Sequence, residues 1–355
     1  MITLTAMVVL VIVLALVFDF LNGFHDAANA ISTVVVARTL TPTQAVILAG
    51  VANFIGYFFF SHAIAKMVSS GIVHIDLLPT PEAKLLMLLG ALIGAIAWNI
   101  ITWIFGLPTS SSHALIGGLV GAGIAAAGPK MVILGGVTLG TGKLVVTGIL
   151  PIIAFIFIAP LLGMLGGILM TIILFNLSRS FPYQKVRRFF SYMQLFSATW
   201  FSVGHGTNDA QKMMGIISLA MVCGGLSSSL EVHTWVAFSC YSAIGLGTMF
   251  GGWRIVKTMG TGITKIRSPE GFCAESSSAL VLMGTAHFGI PVSTTHVIAG
   301  SIMGVGTVKG ARSVRWGTAR NIIWAWFLTI PLTAICSALA YLIISALHIS
   351  VKAGN

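Results

Sequence analysis

Apolar runs fill this chain, and short polar clusters interrupt them. Segments 4–37, 44–68, 85–105, 112–127, 145–177, 191–222, 233–252, 276–289, 297–306 and 321–347 are dominated by aliphatic residues, Phe and Gly. A helix of about 20 such residues crosses the hydrocarbon core of a bilayer, so most of these runs predict spanning helices. The first and sixth are too long for one simple span. Those at 112–127, 276–289 and 297–306 are short for a full crossing and suit half-helices or the arms of tilted hairpins. Non-helical backbone at membrane depth is tolerated only where it is buried in protein or lines a polar cavity. The interruptions are therefore expected to face the interior.

The interruptions come in matched pairs. Asn22-Gly23-Phe24-His25-Asp26-Ala27-Ala28-Asn29 is answered 183 residues later by His205-Gly206-Thr207-Asn208-Asp209-Ala210-Gln211-Lys212. Pro108-Thr109-Ser110-Ser111-Ser112-His113 and Pro291-Val292-Ser293-Thr294-Thr295-His296 keep the same offset. Comparing 106–123 with 289–306 gives seven identities in eighteen positions, and two separated motif pairs at one offset are hard to obtain by chance. The pattern predicts a first repeat over 1–177, a connector over 178–190 and a second repeat over 191–355. Each motif is expected to break its helix. Polar breaks at matching places in two halves are the mark of a transporter's binding site.

Composition places this architecture in a membrane. Of the residues, 57% are hydrophobic and 8% charged, against roughly 25% charged in soluble domains. Ile2–Phe18 has no basic residue before it and no small-residue cleavage site, so a retained first helix is expected rather than a signal peptide. Cys223, Cys240, Cys273 and Cys336 are scattered without a CxxC pair and read as packing residues, not metal or disulfide chemistry. The net charge of +11 does not point to nucleic acid, because the basic residues flank apolar spans and no polar domain exists to carry a recognition surface. It reports orientation, since cytoplasmic loops collect Lys and Arg, and helps hold anionic headgroups.

Matched loops differ in that charge. The 252–275 stretch carries Arg254, Lys257, Lys265 and Arg267, whereas 69–84 carries Lys84 with Asp76 and Glu82. The 307–320 loop carries Lys309, Arg312, Arg315 and Arg320, whereas 126–143 has only Lys130 and Lys143. Equivalent loops on opposite faces make the repeat inverted. Placing the basic connector Arg179–Arg188 inside puts both termini outside and Arg38 inside.

Candidate chemistry is concentrated in few residues. Asp76, Glu82, Glu231 and Glu270 fit loops or span ends, while Asp19, Asp26, Asp209 and Glu275 fall within spans. An ionisable group at bilayer depth costs about 3 kcal/mol or more and usually marks a functional path. Asp26 and Asp209 are repeat partners; Asp19 pairs by offset only with Ser202. Each paired Asp could instead cap a half-helix that follows it, and the two roles are compatible. Asn29 and Asn208 add amide oxygens, which with the carboxylates make a hard-cation site or a proton acceptor. The halves differ: His25 stands opposite Asn208, and Lys212 opposite Asn29. A lysine only donates and repels a cation, so Lys212 suits an anion or a proton-linked pair with Asp209; the plain alternative is a lysine snorkelling at a helix end. In the proline loops, Ser110, Ser111, Ser112, Ser293, Thr294 and Thr295 bring hydroxyls to helix N-termini, where the dipole favours an anion. Two such loops meeting would enclose a tetrahedral oxyanion, although hydroxyls also repair broken helix backbone. His113 and His296 are expected to pack behind them. Gly117, Gly121, Gly300 and Gly304 form small-xxx-small spacings that signal close helix contact.

These motifs resemble those of the inorganic phosphate transporter (Pit) family. The likeness rests on Gly23-Phe24-His25-Asp26-Ala27-Ala28-Asn29-Ala30, His205-Gly206-Thr207-Asn208-Asp209, Gly106–His113 and Gly289–His296, in order along essentially the whole chain. It implies an all-α integral membrane protein, an inverted-repeat transporter with broken helices and two helical hairpins in about 10–12 membrane segments. It also implies phosphate bound near Ser110, Ser111, Ser112, Ser293, Thr294 and Thr295, with Lys212 added by the residue reading. Coupling cations would sit near Asp26, Asn29, Asn208 and Asp209, with His25 beside them. Glu275 matches an acidic position before the second hairpin of some members; its repeat partner is Leu92. Sodium-coupled members tend to carry Asn-Asp in both halves with a following Asn. His25-Asp26 and Lys212 depart from that and resemble the bacterial low-affinity branch, which implies proton coupling, with sodium as the alternative, and phosphate free or as a neutral metal-phosphate. The expected setting is the cell (inner) membrane, the expected partners membrane lipid and a second copy in a homodimer, with no cofactor and no resident metal. A channel is the first rival. An intramembrane hydrolase on Ser110–Ser112 with His113, or Ser293 with His296, is the second; duplication and the lack of HExxH or GxSxG patterns argue against an enzyme.

Overall fold

A computed structural model describes residues 3–59, 62–140 and 143–353. Twelve α-helices occur among the described residues. The first half contains α1 (Leu4–Val36), α2 (Pro42–Ile55), α3 (Ala63–Ser70), α4 (Pro81–Ile104), α5 (Ser111–Ala127) and α6 (Ile149–Ser178). The second contains α7 (Tyr183–Cys223), α8 (Thr234–Phe250), α9 (Trp253–Gly262), α10 (Ser268–His287), α11 (Thr294–Val308) and α12 (Trp316–Ala353). By length and composition α1, α4, α6 and α12 can each cross a membrane. Leu161, Leu165, Leu169 and Ile172 on α6, and Ile335, Leu339 and Leu342 on α12, are exposed at three- and four-residue spacing. A stripe of that kind faces lipid.

The proline loops break the chain as expected, and identically in both halves. Helix α4 ends in a turn where Gly106 has φ +64°, and α10 ends where Gly289 has φ +67°. Leu107 N–H reaches back to Thr102 O at 2.9 Å, and Ile290 N–H to Thr285 O at 3.0 Å. Both are the six-to-one bond that closes a helix C-terminus around a left-handed glycine. The short helices then begin at Ser110, whose Oγ accepts from His113 N–H at 3.1 Å, and at Ser293, whose Oγ accepts from His296 N–H at 3.3 Å.

Elements of the two halves exchange partners. Helix α1 packs on α8 as α7 packs on α2, and α5 packs on α12 as α11 packs on α6. Glycine makes the last two contacts close. A Cβ at Gly117 or Gly121 would lie 2.6 or 2.0 Å from the carbonyls of Ile330 and Ala334 in α12. At Gly300 or Gly304 it would lie 2.1 Å from those of Pro160 and Met164 in α6.

Two expectations are corrected. The Asp motifs do not break their helices: α1 is continuous through 22–29 and α7 through 205–212. Neither motif contains proline, so every N–H can stay in the helical ladder. Their glycines serve packing instead, since a Cβ at Gly23 would meet Ile244 O at 2.1 Å and one at Gly206 would meet Asn53 O at 2.4 Å. Asp26 and Asp209 consequently cap nothing. The basic stretch 252–275 is largely helical, because α9 buries Ile255, Val256 and Met259 while its basic residues face outward. Helix α6 ends at Ser178 and α7 begins at Tyr183, with Lys185, Arg187 and Arg188 in the first turns of α7. The described chain is nearly all helical, as expected, with one short antiparallel pair between α5 and α6, β1 (Gly136–Gly140) and β2 (Lys143–Thr147).

Candidate functional site

Unbroken helices put the two Asp motifs side by side. Spacing of four residues on α7 places His205 and Asp209 on one face, and α1 presents Asp26 to both. His205 Nε2 lies 3.2 Å from Asp209 Oδ2 and 3.9 Å from Asp26 Oδ2. Ligating atoms of Asp26, His205 and Asp209 all fall within 4.8 Å of one another. His25 Nδ1 is 3.0 Å from Asp26 Oδ1, and its Nε2 is 3.3 Å from Thr102 Oγ1 on α4. All of these groups are buried.

The hairpin loops close over this cluster. Thr294 Oγ1 donates to Asp26 Oδ2 at 3.4 Å. Asn29 Nδ2 donates to Thr295 Oγ1 at 2.8 Å, and that hydroxyl donates to Thr109 O of the other loop at 3.2 Å. Lys212 Nζ donates to Asp209 Oδ1, to Ser112 Oγ at 2.5 Å and, at the edge of bonding, to Val292 O at 3.5 Å. One ammonium therefore ties α7, α5 and the second loop together. It does not snorkel: Lys212 is 2% exposed.

The six loop hydroxyls have three uses. Ser110 and Ser293 cap their helices; Ser112, Thr294 and Thr295 reach Lys212, Asp26 and Asn29. Ser111 Oγ, at the start of α5, has no hydrogen-bond partner among the described residues, and neither has Thr109 Oγ1 or the side-chain amide of Asn208. Caps take the third N–H of each helix, so the N–H groups of Ser111, Ser112, Thr294 and Thr295 stay outside any intrahelical bond. Two positive helix ends, a buried ammonium and unpaired hydroxyls are the kinds of donor that an oxyanion accepts. Beside these donors the carboxylate–His–carboxylate group offers acceptors of the kind a cation or proton takes. Behind the loops, the rings of His113 and His296 meet at 4.7 Å, and His296 stacks on Trp326 at 4.1 Å.

Glu275 is not part of this cluster. It accepts from Gln194 Nε2 at 3.1 Å and Ser197 Oγ at 2.5 Å, and Ser197 lies about 18 Å of helix rise from Asp209. Two residues without an assigned role in the sequence reading prove central. His205 stands opposite Asn22 in the repeat, and its four-residue spacing from Asp209 was the available signal. Asn53 supports it, with Oδ1 3.2 Å from His205 Nδ1 and Nδ2 donating to Thr248 Oγ1 at 2.7 Å; an asparagine in the middle of the apolar run 44–68 could have flagged it.

A multi-pass helical protein whose paired hairpins converge on a duplicated, buried polar cluster is a membrane transporter with its site at the junction of two repeats. Comparison with known proteins gives the particular group. The chain belongs to the phosphate transporter family, whose model (PHO4) matches residues 22–337. It is 46% identical to a probable low-affinity inorganic phosphate transporter of Rhizobium meliloti (strain 1021), over 93% of this chain and 94% of that one. It is 41% identical to a protein of the same description from Bacillus subtilis (strain 168), over 95% and 97%. Among solved structures it superposes on one titled the sodium-dependent phosphate transporter with a TM-score of 0.83, covering 96% of this chain and 99% of that chain at 23% identity. That likeness is one of fold.

Proposed function

We propose that this protein is a secondary active symporter that imports inorganic phosphate together with protons across the cell (inner) membrane. The observation that carries the reading is Lys212, shared between Asp209 and the Ser112 hydroxyl. Phosphate entering between the loops takes up the ammonium, the Ser112 hydroxyl and the free N–H groups of α5 and α11. Asp209 then gives up its main counter-ion and keeps His205. Two carboxylates and an added oxyanion in low dielectric require compensating positive charge. Uptake of a proton by a buried carboxylate supplies it, whereas a sodium ion beside Asp209 would face the Lys212 ammonium. Phosphate as the cargo is supported by the family and by the descriptions of the relatives.

A second reading of the cargo rests on one observation. Asp26, His205 and Asp209 converge closely enough to hold a divalent metal, with the oxygen and imidazole donors such ions accept. A neutral metal-phosphate would fit with its metal there and its phosphate at the loops. The halves are inverted in this reading, and transport is a rocking of one against the other that exposes the site to each side in turn.

Radiolabelled phosphate uptake into proteoliposomes, with pH and sodium gradients imposed separately, tests the proposal. An inside-alkaline gradient should drive accumulation and a sodium gradient alone should not. Accumulation driven by sodium alone would replace the coupling ion; flux that never concentrates phosphate under either gradient would make the protein a channel.

A further inference from the structure

The four carboxylates inside the helices do not share one environment. Asp26 has His25 and Thr294, Asp209 has Lys212, and Glu275 has Gln194 and Ser197. Asp19 is 0% exposed, and among the described residues the one side-chain donor beside its oxygens is the thiol of Cys240. It is also an asymmetry of the repeat, because the second half has Ser202 at that position and its hydroxyl turns back to Ala198 O at 2.8 Å. Seven residues separate Asp19 from Asp26, two turns of α1, so both lie on one face about 10 Å apart along the axis.

The surroundings of Asp19 leave it a proton and little else. Cys240 and Tyr241 of α8 are its titratable neighbours, and from α7 it meets the fields of Asp209, Lys212 and His205. Helix α2 carries no titratable side chain, and α4 brings its Lys84 beside Leu4 at the start of α1, far from Asp19. The basic residues of α9 lie along later turns, where Gly252 meets Phe24 O and Gly260 meets Ser32 O. Next to Asp19 the α1–α8 contact is backbone to backbone. A Cβ at Gly247 would lie 1.9 Å from Phe20 O, and one at Gly23 would lie 2.1 Å from Ile244 O. Water is excluded on that side, and access to the carboxylate requires movement of a helix packed against the α1–α8 pair.

We propose that Asp19 is the residue that carries the coupling proton. The inference rests on the symport reading above. Asp26 and Asp209 have imidazole or ammonium partners for their charge, whereas an ionised Asp19 would have only the weak thiol donor of Cys240 and would bear most of the desolvation cost. Asp19 takes a proton from water on one side, is enclosed as the neutral acid, and loses the same O–H proton to water on the other when the helices around α1 shift. No bond of the phosphate is made or broken. The charge brought in by phosphate is then linked, through Lys212 and Asp209, to whether Asp19 is filled.

The test is Asp19→Asn and Asp19→Glu in proteoliposomes, beside the unaltered protein. Asn has the shape of the neutral acid, so Asp19→Asn should purify folded. Its accumulation of phosphate under an inside-alkaline gradient should fall about tenfold or more, while exchange of internal for external labelled phosphate, which needs no net proton movement, continues. Asp19→Glu should recover part of the gradient-driven accumulation. Accumulation by Asp19→Asn equal to that of the unaltered protein overturns the inference. Should Asp19→Asn be misfolded, Asp19→Glu decides alone: a folded Glu variant that accumulates supports the inference, and one that exchanges but never accumulates overturns it. An unaltered protein indifferent to the pH gradient but driven by sodium defeats the symport reading itself, an outcome visible before either variant is read.

Discussion

Ser110 and Ser112 stand two positions apart in one loop and have different tasks. The Ser112 hydroxyl receives the Lys212 ammonium, and a hydrogen bond to a charged group contributes about 1.5–3 kcal/mol. Ser112→Ala should therefore raise the KM for phosphate by about ten- to a hundredfold. Ser110 holds a backbone N–H at the start of α5; losing such a cap costs about 1 kcal/mol. Ser110→Ala should lower the melting temperature in detergent while moving the KM far less. Equal KM effects from both would refute the division. Much of this chemistry was legible in the sequence because it is written twice: the repeat singled out Asp26, Asp209 and both hydroxyl loops. The division among the hydroxyls was not, since cap and ligand positions hold the same residue types. Nor was the pairing of His205 with both carboxylates, which depends on how α1 lies against α7.

Among the elements, the hairpins were the readable part. A proline followed by small hydroxyl residues stops one helix and starts another by local chemistry alone. The Asp motifs were misread because Gly, Asn and Asp are weak helix formers, and here tertiary packing overrides that preference. Helix–helix approach at glycine gives a prediction at this scale. Gly121→Val and Gly304→Val each place a side chain against a carbonyl that cannot withdraw, 2.0 Å from Ala334 O and 2.1 Å from Met164 O at the first atom. Overpacking of that kind costs about 1–3 kcal/mol or more, so both variants should melt lower or fail to extract as single species. Gly284→Ala, also within a helix but with nothing near its added Cβ, should be neutral or stabilising. If all three behaved alike in thermal unfolding, the close contacts of α5 with α12 and α11 with α6 would not be what positions the hairpins.

At the scale of the whole molecule, exchange of partners between halves turns two incomplete repeats into one site: each hairpin helix rests on a long helix of the other half, and the carboxylates come one from each. The sequence predicts a repeat and, through the charge of matched loops, an orientation; it could not predict the exchange, which is a property of packing. That orientation puts the basic loop with Arg312 and Arg315 in the cytoplasm. A single cysteine at exposed Ser313, in a background without the four native cysteines, should resist a membrane-impermeant maleimide in intact cells and react in inside-out vesicles. The reverse pattern would place both halves the other way. The central claim is that Asp26 and Asp209 work together with the two hairpins as one coupled site. Its most direct measurement is gradient-driven phosphate uptake by Asp26→Asn and Asp209→Asn, each shown to be folded by size-exclusion chromatography. Both variants are predicted to lose concentrative uptake; uptake at the level of the unaltered protein in both would contradict the account.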